Sequence, residues 1–281
     1  FEPGDTVFLF GFSRGAYTAR AVASMLHLYG LIRPNNDAFV PYAIRMMLAI
    51  YRAENQAAPV EKYFQLADDF RKTMTWTPCA PHFIGVWDTV SSVGWIENPL
   101  HLPYVSNNPD IAIGRHAISI DERRAFFRTE LWRPDADPAK AGPKDLVQVW
   151  FPGDHCDVGG GHLEQESGLS KIPLAWMFRE AKAAGLLVID EKERTVLGQF
   201  AGTGYVPADV NGPIHDDLKD FWWIAEVIPK RRYDWASHTY VRRMNLGARR
   251  FIPPGSLVHR SAFDRAGDYA KRLPPDVTKV E

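Results

Sequence analysis

The chain has 281 residues, 46% hydrophobic and 24% charged, an ordinary globular balance that fits one large α/β domain. A formal net charge of −1 provides no overall field to draw it onto nucleic acid, and no nucleic-acid partner is expected. Two cysteines, Cys79 and Cys156, are too few for a disulfide framework, and no apolar run approaches the roughly 18 residues that span a bilayer.

In chain order, Thr6 to Phe10 (TVFLF) reads as a buried parallel strand. Gly11-Phe12-Ser13-Arg14-Gly15 follows without a spacer. Residues 16 to 31 then show helical spacing, with Ala19, Val22, Ala23 and Leu26 along one face. After a break at Pro34 to Asp37, a helical insertion is expected around residues 38–76. His82 to Trp87 (HFIGVW) is a second strand, with Asp88 at its C-terminal end. Residues 91 to 108 look irregular, and 111 to 128 read as a helix from Ile113, Ala117, Ile120 and Phe127. Leu146 to Phe151 (LVQVWF) is the third strand and runs into Pro152-Gly153-Asp154-His155-Cys156-Asp157 and three glycines. A helix is expected over 174 to 184. Residues 186–281 form a less regular part, with a short hairpin between Thr239 and Phe251. No linker divides the chain, so residues 1–281 read as one domain. Strands alternating with helices predict an α/β fold with a mostly parallel sheet flanked by helices.

Gly11 to Gly15 fits G-x-S-x-G, and its place between strand and helix is that of a nucleophile elbow of the α/β-hydrolase type. There the serine occupies a strained turn and its Oγ is pushed out above the sheet. Ser13 is therefore the candidate nucleophile, and the N–H of Arg14 a candidate oxyanion donor. A serine needs a base, and the base an orienting acid. Asp88 and His155 both follow strands, where open α/β sheets gather functional groups, and the chain order is serine, acid, base. Asp157 is a rival acid and His259 a rival base. His155, Asp157 and His162 offer donors for zinc, yet neither an H-E-x-x-H helix nor a cysteine pair accompanies them. No metal and no cofactor is expected. Trp87, Trp95, Trp132, Trp150, Trp222, Trp223 and Trp235 read mostly as core or rim, and Lys230-Arg231-Arg232 as a solvated face. A phosphate-binding glycine loop is disfavoured, because no G-x-x-x-x-G-K-[ST] occurs.

With these residues in hand, the chain resembles an α/β-hydrolase family, formerly of unknown function, that includes type VI secretion phospholipase effectors. The matching stretches are FLFGFSRGAYTAR, FIGVWDTVSSVG, RHAISIDERRAFF, VWFPGDHCDVGGGH and LVHRSAFDR, in the family's order across nearly the whole chain. The resemblance implies serine-dependent ester hydrolysis with Ser13 as nucleophile, Asp88 as acid and His155 as base. It also implies a lipid or phospholipid ester as substrate, contact with a membrane surface, and a secretion-system partner. Location is expected to be cytoplasmic, or outside the cell by export without a signal peptide. Family members begin with a strand bearing Asp-Gly-Thr. That strand does not precede Phe1 here, so the first strands of the sheet and a second oxyanion donor are expected upstream. The alternatives are a small-ester carboxylesterase or a non-catalytic binding module of hydrolase shape.

Overall fold

The structure is a computed structural model and describes all residues except 91–93, 96–97, 100, 134, 136, 138–140 and 235–238. Its core is a six-stranded sheet: β1 Phe8–Phe12, β2 Phe83–Trp87, β3 Ile113–Ser119, β4 Asp145–Phe151, β5 Leu257–His259 and β6 Thr278–Val280. The strands lie side by side in chain order, and every pair is parallel. The chain is thus an α/β protein with a parallel sheet flanked by helices, as the alternating pattern predicts.

Among the helices are α1 Arg14–Tyr29, α2 Val40–Asn55, α3 Glu61–Met74, α4 His155–Gly159, α5 Lys171–Ala183, α6 Asp190–Val196, α7 Trp222–Glu226 and α8 Ser261–Asp264. Apolar residues on successive positions of β2 serve opposite faces of the sheet, because side chains alternate along a strand. Phe83 joins Ala117, Val149 and Phe151 against Trp176, Met177 and Ala181 of α5. Ile84 and Val86 face Ala16 and Ala23 of α1, together with Ile111 and Trp132. The outer half of α1 (Leu28, Tyr29) packs on Ala43, Met47 and Ile50 of α2 and Ala67 of α3. No helix among the described residues is long and apolar enough to cross a membrane.

Three expectations are corrected. Residues 111 to 128 contain β3, not a helix. That strand is covered on both faces and so lacks the polar alternation that marks a half-exposed one. It also carries three polar side chains inside: Arg115, paired with Asp145 and Glu180, His116, beside Gln148, and Ser119, whose hydroxyl accepts from Arg250. β1 is shifted to Phe8–Phe12 and lies at one edge of the sheet, with Phe10 41% exposed rather than buried. The ribbon near Thr239 pairs residues 239–243 with 230–234, upstream, not with the stretch towards Phe251. Trp132 and Trp150 are core residues, Trp222 and Trp223 are partly exposed, and Trp235 lies outside the described residues.

Candidate active site

The sheet register brings the strand ends together. Phe12 lies opposite Trp87, and Trp87 opposite Ala117, so Ser13 and Asp88 each stand one residue past the end of a paired strand. Their amides continue the ladder: Ser13 N–H donates to the Trp87 carbonyl at 3.0 Å and Asp88 N–H to the Ala117 carbonyl at 2.7 Å. Both residues then turn sharply, at φ 59° for Ser13 and φ 40° for Asp88. Non-glycine residues seldom occupy this region, and such strain collects at functional sites. The Ser13 turn depends on Gly11, where a Cβ would stand 2.3 Å from the Gly15 carbonyl oxygen. Arg14 opens α1, so its N–H belongs to the first helical turn, whose amides have no partner within the helix.

His155 opens α4, four residues after β4. Asp154 caps this short helix by accepting from the amides of Cys156 and Asp157, while the Asp157 carboxylate accepts from Asp154 N–H. The imidazole is held between Phe12, at a centroid distance of 4.6 Å, and the edge of Phe127, at 4.7 Å. At Gly159 a Cβ would meet the Phe12 ring at 2.0 Å, so only glycine lets α4 approach the elbow this closely.

His155 Nε2 is 2.7 Å from Ser13 Oγ, and Nδ1 is 2.5 Å from Asp88 Oδ2. An ionised carboxylate can only accept, so Nδ1 carries the hydrogen and Nε2 is left to accept the Ser13 hydroxyl proton. Asp88 is fully buried. Burial opposes its ionisation, but the Arg250 guanidinium and the His155 ring outweigh it and hold the carboxyl well below the usual carboxylate range. Arg250 Nη1 donates to Oδ1 at 2.5 Å and Nη2 to Oδ2 at 2.9 Å, and Ser119 N–H adds a bond to Oδ1 at 3.0 Å. Arg250 also donates to the Phe127 carbonyl, which ties the aromatic wall to the acid. Behind Asp88, Thr89 N–H donates to His116 Nε2 at 3.1 Å. Burial pushes that imidazole down to about 3, so it is neutral.

The sequence candidates therefore separate. Ser13, His155 and Asp88 form one hydrogen-bonded line. Asp157 bonds His215 instead, at 2.6 Å. His259 stacks on Phe151 and faces Ser261, and burial pushes it down to about 4. Arg250 and His116 were not singled out by sequence reasoning, and Phe127 only as a residue of the helix expected over 111 to 128. No spacing rule marks Arg250, which follows another arginine in a loop.

Fold and site together define an α/β protein with a hydroxyl, an imidazole and a carboxylate in line at the C-terminal ends of parallel strands. The chain belongs to the family described as type VI secretion system phospholipase effector Tle1-like, catalytic domain, whose model matches residues 1–180. It is similar to the uncharacterized protein YEL023C of Saccharomyces cerevisiae, 36% identical over 138 residues, which is 48% of this chain and 20% of that protein. Among solved structures it is similar to an uncharacterized protein from Pseudomonas aeruginosa, at 24% identity and TM-score 0.43, covering 68% of this chain and 26% of the other. It is also similar to the Tle1 effector bound to the VgrG spike of the type 6 secretion system, at 22% identity and TM-score 0.29, covering 58% and 26%. The chain thus spans about a fifth of the yeast relative and about a quarter of the solved ones.

Proposed function

We propose that the chain is the catalytic domain of a serine-dependent ester hydrolase acting on lipid or phospholipid esters. The observation that carries this reading is the unbroken line from Ser13 Oγ through His155 to Asp88. His155 Nε2 takes the Ser13 proton as Oγ attacks the ester carbonyl. The Arg14 N–H donates to the developing oxyanion. Asp88, held ionised by Arg250, stabilises the imidazolium, which then passes its proton to the leaving alcohol. Water, deprotonated by the same imidazole, cleaves the acyl-enzyme.

A lipid substrate is favoured by the family description and by the surroundings of His155. Phe127 touches both the His155 ring and Trp222. Beyond Trp222 opens a cleft of about 380 Å³ lined by Arg124, Asp217, Lys219, Asp220 and Phe221 as well. A lining that combines two aromatic rings with charged side chains suits an amphipathic ester. Contact with a membrane surface, export by a type VI machine and a secretion-system partner belong to the same proposal and rest on the family alone.

The test sets a short p-nitrophenyl ester beside phospholipid vesicles, with Ser13→Ala as control. Turnover that vanishes in Ser13→Ala is expected, with vesicles the better substrate. A preference for the short ester would indicate a carboxylesterase. No turnover of either by a folded protein would leave a binding module of hydrolase shape.

A further inference from the structure

A second group of donors lies behind the turn that carries His155. Asp157, two residues further along α4, is 2% exposed. Its Oδ2 accepts from the backbone amides of Asp154 and His215. Its Oδ1 accepts from His215 Nδ1 at 2.6 Å and lies 3.6 Å from His162 Nε2. The His162 and His215 rings are stacked, with centroids 3.6 Å apart. His162 Nε2 is also 3.3 Å from Asp154 Oδ1. The other oxygen of Asp154 is buried with no hydrogen-bond partner among the described residues. Cys156 Sγ and an Asp217 oxygen come within 4.8 Å of a His162 nitrogen and of each other. Glu166 stands 3.5 Å from His215 Nε2.

This is more donor capacity than hydrogen bonding uses. Two imidazoles offer nitrogens to one carboxylate oxygen, and a buried carboxylate beside them has an oxygen to spare. The nearby guanidinium of Arg124 is shared between Glu122 and Asp217. A tetrahedral ion bound at about 2.0–2.2 Å sets its donors about 3.3 Å apart. The separation of His162 from Asp157 already matches that spacing, the His215–Asp157 bond need open by less than about 1 Å, and the stacked His162 and His215 rings tilt apart so that both lone pairs converge on the ion. The side chains of His162 and His215 are 15% and 20% exposed, which gives an ion a path from solvent.

We propose that Asp157, His162 and His215, whose donor atoms all lie within 4.8 Å of one another, bind a divalent transition-metal ion of zinc's borderline character, with water completing the tetrahedron. Sequence reading alone offers zinc donors at His155, Asp157 and His162; His215 has no neighbour in sequence that would mark it as one. His215 arrives from a segment 58 residues beyond Asp157. The ion is structural: it fastens the loop at His162 and the segment at His215 to the turn that begins with His155, and takes no part in the chemistry at Ser13.

The test uses the tag-free full chain, stripped with a chelator and titrated with Zn²⁺ by calorimetry, with Co²⁺ as a spectroscopic probe. One equivalent is expected to bind, to raise the thermal midpoint, and to give the intense visible band of tetrahedral Co²⁺. His162→Ala and His215→Ala are each expected to weaken Zn²⁺ binding at least about 100-fold. Circular dichroism checks that both variants are folded, and if His215→Ala is not, His162→Ala decides alone. Absence of saturable one-to-one binding, or binding indifferent to the substitutions, overturns the proposal.

Discussion

Arg250 grips both carboxylate oxygens of Asp88, at 2.5 and 2.9 Å, across 162 residues of sequence. Asp88 is fully buried, and a buried carboxylate is tolerated only with a counter-charge and hydrogen bonds. The arginine therefore fixes the charge on the acid as well as its orientation.

Replacing Arg250 with Met leaves that carboxylate without its cation. The expected loss is about 3–5 kcal/mol in urea unfolding, and a loss below about 1 kcal/mol would refute the pairing. Acid sensitivity changes too. The folded-state pKa of Asp88 is depressed, so its contribution is complete above the unfolded value of about 3.9 and fades as pH falls through the folded one. In Arg250→Met the acid transition is expected at higher pH.

The hydrogen-bonded line at Ser13 predicts non-additive kinetics. Ser13→Ala and His155→Ala are each expected to lower kcat by about four orders of magnitude or more, and the double variant by no further factor. Asp88→Asn is expected to cost on the order of 10⁴, because an amide can donate to Nδ1 and favour the wrong tautomer. Single-turnover assays on one ester substrate check all four; additive losses would mean that the groups do not act as a unit.

The two glycines of the G-x-S-x-G pentapeptide are expected to respond in opposite ways. Gly11→Ala drives a Cβ into backbone that cannot withdraw, whereas at Gly15 nothing lies within 4 Å of the added carbon. Gly15 lies in the first turn of α1, so Gly15→Ala should be neutral or gain up to about 1 kcal/mol of helix propensity. Gly159→Ala should cost about 1–3 kcal/mol by overpacking against Phe12, and a second change, Phe12→Leu, should return part of it. Thermal denaturation of the set reads out each effect.

His116 predicts a pH dependence of stability near neutrality. Its folded-state pKa is about 3, against about 6.5 unfolded, so between these values the unfolded chain binds the extra proton. Stability is then complete above about 6.5 and declines as pH falls, by up to about 1.4 kcal/mol per unit. His116→Gln, which can still accept from Thr89 N–H, should flatten the slope between pH 6 and 4 in denaturant titrations.

Much of the site could be read from local order. Strand, elbow and helix are contiguous at residues 8–29, and Asp88 and His155 follow strands whose apolar runs are plain. Arg250 could not be found this way, since its value comes from a contact 162 residues distant and no periodicity surrounds it. β3 is not legible in the sequence, because Ile113, Ala117, Ile120 and Phe127 fall at helical spacing among polar residues that include Arg115 and His116. Only the Asp145, Glu180 and Gln148 partners, supplied by other elements, allow these side chains inside a sheet. His215 was hidden for a similar reason: its partner Asp157 already had a nearer histidine in sequence.

Because the sheet strands lie in chain order, a ribosome releases them in the order in which they stand across the sheet. Ser13, Asp88 and His155 can thus be in place while residue 250 is still inside the exit tunnel. For that interval Asp88 has no Arg250 to neutralise it, and the buried acid stays without its counter-charge until residue 250 has emerged.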